Sequence, residues 1–159
     1  MKKATRTWRR FWRLSGYARA RVLEAAGGLL LTRICLSVAG FRRWKAAIEW
    51  LTPDSAAPGS PATQPEMEFA GVMDRWEAAA ARHLPMNANC LERSLTLWWL
   101  LRRRGIAAEL CIGGRKERGQ FEAHAWVEVG GVIVSDKNGG RGEFEVFGAR
   151  PGAIRTCAS

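Results

Sequence analysis

The hydrophobic period of the chain changes at Gly105, and this change constrains the fold more than any other feature. Before Gly105 the apolar residues recur at helical spacing. Leu91, Leu95, Trp98 and Leu101 follow successive turns, and three arginines crowd the last turn ahead of the glycine. That pattern predicts a helix over about 89–104, with Gly105 in the left-handed residue that closes it. After Gly105, residues 106–112, 121–129, 132–136 and 143–147 are short, rich in β-branched or aromatic residues, and separated by glycine. These segments predict strands of an antiparallel meander. Upstream, Met67, Ala70, Met73, Trp76 and Ala80 lie on one face of a helix over 66–83, which Pro85 ends. The compact part is therefore α+β, with helices first and a sheet after.

Residues 1–51 contain no proline and read as helical, with breaks or bends expected at Gly16, Gly27–Gly28 and Gly40. Residues 52–65 hold four prolines among small residues and read as a linker or exposed loop. Three zones follow: a basic helical region at 1–51, a linker at 52–65 and the core at 66–159. The net charge of +10 resides entirely in the first zone. Residues 1–50 carry 12 Lys and Arg against Glu24 and Glu49, and the remainder is balanced. Such a segment suits nucleic acid, anionic lipid or an acidic protein, or is simply a solvated face.

No secretory signal is evident, and residues 22–41 include Glu24 and Arg33, which are costly in hydrocarbon. That stretch is read as a buried or peripheral helix, with membrane contact as the lesser alternative. The tryptophans fall mostly on predicted helices, where core burial explains them, so no nucleic acid is expected. Four cysteines without a CxxC pair and two histidines give no metal-site spacing. The expectation is a reduced, cytoplasmic chain without metal or cofactor.

Cys90 opens the helix before Gly105. A helix start supplies the positive end of the macrodipole and free N–H groups, and both stabilise a thiolate. The same N–H groups suit the oxyanion of a tetrahedral intermediate. Asn87 or Asn89 caps this helix or lends a further donor, and the sequence does not decide between them. His124 sits between alanines on a predicted strand, and Asp136 ends the next. A three-residue loop, Val129–Gly131, with Gly131 left-handed, would place His124 opposite Asp136. A two-residue Gly130–Gly131 turn would not. Each residue also has an ordinary explanation: Cys90 as a buried thiol, His124 as a structural histidine, Asp136 as a turn opener, His83 as a helix cap. Cys35, Cys111 and Cys157 are read as inert.

The runs Cys90–Leu91–Glu92–Arg93–Ser94–Leu95, Leu100–Leu101–Arg102–Arg103–Arg104–Gly105–Ile106 and His124–Ala125–Trp126–Val127–Glu128 together resemble the leader peptidases of lasso-peptide biosynthesis. The resemblance implies a transglutaminase-like or papain-like core, with N-terminal helices packed beside an antiparallel sheet. It implies a Cys-His-Asp triad of Cys90, His124 and Asp136, acting through an acyl-enzyme to remove the leader of a ribosomally made precursor. The implied partners are the precursor's leader, a separate leader-recognition protein and the lasso cyclase. Some members carry a fused recognition domain with strands, whereas residues 1–51 read as helical, which implies a stand-alone peptidase. A non-catalytic module gripping peptide or RNA is the contrasting reading, and acyl transfer rather than hydrolysis would use the same triad.

Overall fold

The computed structural model describes residues 15–52, 61–84, 87–117, 120–135 and 145–146. Three helices precede four strands: α1 (Gly16–Leu51), α2 (Gln64–His83), α3 (Cys90–Arg102), β1 (Ala108–Glu117), β2 (Gln120–Val129), β3 (Val132–Ile133) and β4 (Glu145–Val146). This is the α+β order expected from the change of period.

The helix boundaries have local causes. Ser15 caps α1, its hydroxyl accepting from the Ala18 N–H at 3.2 Å. Gly40, at φ 77° and ψ 168°, breaks α1 where a bend was expected. Gly27 and Gly28 do not break it. Gly28 instead permits close packing, since a Cβ there would lie 3.0 Å from Thr96 Cγ2 on α3. Thr63 and Glu66 form a capping box ahead of α2, and these bonds hold the Glu66 carboxyl below its ordinary pKa. The end of α3 is a Schellman motif. Gly105 N–H donates to Arg102 C=O and Ile106 N–H to Leu101 C=O, with Gly105 at φ 75°.

One core unites the helices with one face of the sheet. Val22, Leu29, Trp44 and Ile48 of α1 join Met73 of α2, Leu95, Trp98 and Leu101 of α3, and Val127 and Val129 of β2. Thus α1, expected as a region apart, belongs to the same core as residues 64–134. Half-buried polar contacts tie the layers: Arg104 spans from the end of α3 to Glu24 of α1 at 2.8 Å, and Arg102 donates to the buried Thr52 at 2.8 Å.

The sheet order is β3-β2-β1-β4, all antiparallel. It is not a simple meander, because β4 returns to β1 at Gly113 and Gly114 rather than pairing with β3. The β2–β3 hairpin also differs from expectation. Val129 pairs with Val132 and Glu128 with Ile133, so the turn is the two-residue Gly130–Gly131. Both glycines are left-handed, at φ 58° and 77°. Two left-handed residues make the turn type whose twist matches the strands, and this favours the shorter loop. The three-residue loop needed only Gly131 left-handed.

Candidate active site

Cys90 is the first residue of α3, as its position before the apolar helix suggested. Asn89 is the N-cap. Its side-chain oxygen accepts from Glu92 N–H at 2.8 Å, and Glu92 Oε2 accepts from Asn89 N–H at 3.0 Å. The cap role of Asn89 is settled by this capping box, whereas Asn87 is exposed and lies outside it. The first bond of the helical ladder runs from Arg93 N–H to Asn89 C=O at 3.1 Å. With Glu92 N–H capped, the N–H groups of Cys90 and Leu91 are the two at this end without an acceptor inside the helix. N–H groups so placed have the chemistry to receive an anionic oxygen.

Two bonds fix how α3 lies on the sheet. Ser94 Oγ donates to Ala125 C=O at 2.8 Å, and Trp98 Nε1 donates to Ala108 C=O at 2.9 Å. Ala108 pairs with Val129, so α3 runs alongside β2, with its start toward the Gln120 end. Cys90 precedes Ser94 by one turn, about 6 Å along the axis, which is nearly two strand residues. That brings Cys90, half-buried, level with Ala123 and His124.

The pleat decides the rest. Ala125, Val127 and Val129 face α3 and the core, while His124, Trp126 and Glu128 face the other way. Their mutual contacts confirm the second face: the His124 and Trp126 rings stack at 6.2 Å, and Trp126 Nε1 donates to Glu128 at 2.8 Å. The described elements therefore bring Cys90 and His124 to one level of the fold, Cys90 at the start of α3 and His124 on the face of β2 that it shares with Trp126 and Glu128. Asp136 lies outside the described residues. Past Ile133 the same register continues in one backbone bond, from Val134 N–H to Val127 C=O at 2.9 Å, while Ser135 Oγ, rather than a backbone carbonyl, takes the Val127 N–H at 2.9 Å.

An ion pair not anticipated from the sequence braces the start of α3. Arg93 grips Glu77 of α2 with Nε 3.1 Å from both oxygens and Nη2 2.8 Å from Oε2. Burial pushes the Glu77 carboxyl above its ordinary pKa, and Arg93 opposes this. Hydrogen bonding to Glu77 in turn raises the Arg93 guanidinium, and the Cys90 thiol contributes in the same direction. The signal was present: Glu77 occupies the same helical face as Met73 and Ala80, a carboxylate at a core position. Cys35, Cys90 and Cys111 are not joined in disulfides, and no cluster among the described residues would hold a metal.

A helix that starts with a cysteine and packs on an antiparallel sheet bearing histidine is the arrangement of a known class. A family model described as the transglutaminase-like superfamily matches residues 28–148, and the chain belongs to that superfamily. A 60-residue stretch of the chain is 38% identical to the microcin J25-processing protein McjB of Escherichia coli. That stretch is 38% of this chain and spans 28% of the relative's length. No solved structure matches the chain.

Proposed function

We propose that this protein is a cysteine peptidase that removes the leader from a ribosomally made lasso-peptide precursor in the reducing cytoplasm. Cys90 attacks the scissile carbonyl, His124 accepts and returns the proton, and Asp136 is assigned to orient the imidazole, although the two-residue turn does not by itself set it opposite His124. The Cys90 and Leu91 N–H groups hold the oxyanion, and water resolves the acyl-enzyme. The observation that carries this reading is the capping box of Asn89 and Glu92. It satisfies the neighbouring N–H groups and leaves the nucleophile's own and the next one directed out of the helix. The likeness to McjB, a protein named for processing microcin J25, supports the substrate class.

One observation favours a second reading, a non-catalytic peptide-binding module: the pleat directs His124 away from the side on which α3 packs. The two readings part on Cys90→Ala. The test follows precursor cleavage by mass spectrometry, with circular dichroism as the check on folding. A peptidase loses cleavage with its fold intact, whereas a binding module has no cleavage to lose and keeps its affinity for the leader. Residual cleavage near the wild-type rate in a folded Cys90→Ala variant removes Cys90 from the role assigned here.

A further inference from the structure

The face of α1 turned away from the core is apolar. Leu23, Leu30, Ile34 and Val38 recur at intervals of seven, four and four residues, with Leu31 beside them, and all five are 40–81% exposed. They form a stripe roughly 22 Å long on the side opposite Val22, Ala25, Leu29 and Thr32, which are buried. Monomeric proteins rarely leave such a continuous apolar surface to water without a use for it.

The charge around the stripe selects its occupant. Residues 15–50 carry six cations against two carboxylates, and both carboxylates are already paired: Glu24 with Arg21, Arg103 and Arg104, and Glu49 with Lys45. Arg33, exposed but 3.9 Å from Glu92, flanks the stripe, and Arg42 and Arg43 are exposed just past its end, beyond the bend at Gly40. Trp50, 85% exposed, lies further along the same helix. An apolar stripe bordered by arginines and an exposed tryptophan is the composition of a helix lying in a bilayer interface. By length and composition α1 is also apolar enough to cross a membrane. Crossing would strip Leu29, Trp44 and Ile48 from the core, whereas lying flat leaves that face in place.

We propose that α1 docks this chain on an anionic bilayer, with Leu23, Leu30, Ile34 and Val38 entering the interface and the arginines meeting lipid phosphates. This inference is independent of the proteolytic reading. The full chain is mixed with vesicles of phosphatidylcholine alone or with about one quarter phosphatidylglycerol, and bound protein is measured by flotation over a salt series. The expected result is binding to the anionic vesicles that weakens with salt, with little on the neutral ones. Leu30→Glu with Ile34→Glu should lower the partition at least about tenfold while the melting curve is kept. Val38→Glu, at the most exposed position of the stripe, gives the same direction if the double variant fails to fold. Arg42→Glu with Arg43→Glu should lower binding only to the anionic vesicles. Three outcomes overturn the proposal: no wild-type binding to anionic vesicles, wild-type binding that the stripe variants leave unchanged, or a stripe that holds two copies of this chain together and shows no lipid affinity.

Discussion

Arg93 shows how much the start of α3 depends on one side chain. Glu77 is buried, and the guanidinium is its bidentate partner. Arg93→Met should therefore strand a carboxylate in the core and cost about 3 kcal/mol near neutral pH. The pH dependence has a definite sign. Burial raises the folded pKa of Glu77 above 4.5, and losing Arg93 removes the largest influence that lowers it, leaving only the weaker one of Arg82. A carboxyl with a raised folded pKa favours the native state below its unfolded value and loses that contribution as pH rises. Urea unfolding of Arg93→Met should show a small deficit at about pH 4 that grows toward about pH 7. A deficit independent of pH would mean that packing, not charge, is what Arg93 provides. The thiols supply a second test. Cys35, Cys90 and Cys111 are all half-buried, so access alone does not rank them. Brief iodoacetamide labelling followed by peptide mapping should modify Cys90 first, because only Cys90 stands at a helix start. Preferential labelling of Cys111 would count against its assignment as nucleophile.

At the scale of elements, paired glycines separate backbone needs from packing needs. Gly27 has open space where a Cβ would stand, whereas Gly28 has Thr96 at 3.0 Å and Trp99 at 3.6 Å. Gly27→Ala should stabilise α1 by up to about 1 kcal/mol. Gly28→Ala should gain nothing, since α3 must shift to admit the methyl group. In the hairpin, both glycines are left-handed, but a Cβ on Gly130 would meet the Ala62 backbone nitrogen at 2.6 Å. Gly130→Ala should thus lower the melting temperature more than Gly131→Ala, which meets only the backbone strain of roughly 1 kcal/mol or more. These sites also mark what the sequence discloses. The end of α3 was legible because Gly105 has a single best use, whereas its start was legible only to within the choice of Asn87 or Asn89 as cap, which the bond from Glu92 N–H to Asn89 decides. The hairpin register was not, because two adjacent glycines serve a two-residue or a three-residue loop equally, and the choice moves every following side chain to the other face. The side of β2 on which α3 packs was equally hidden, since Ala125, Trp126 and Val127 are all apolar. The placement of His124 relative to Cys90 rests on that unreadable choice.

At the scale of the whole molecule, the question is whether residues 16–52 are an appendage or part of the fold. The proline-rich stretch at 52–65 suggested a boundary, and the concentration of charge ahead of it suggested a separate arm. Neither signal reports on burial. α1 is apolar on both its inner and outer faces, so its periodicity did not reveal which side is covered. In the structure its inner face shares a core with α2, α3 and β2, and the family match itself begins within α1 and runs through the proline-rich stretch. Removing α1 exposes the partners of Leu29, Trp44 and Ile48 and leaves Arg104 without Glu24. Burying each large apolar side chain is worth roughly 1.5–3 kcal/mol, so these three together approach the roughly 5–15 kcal/mol that holds a domain folded. A chain truncated to residues 53–159 should therefore lose cooperative thermal unfolding and collapse the dispersion of its amide NMR spectrum. If the truncated chain instead melts as sharply as the full one, the helix is an appendage after all and the core at 66–159 stands alone.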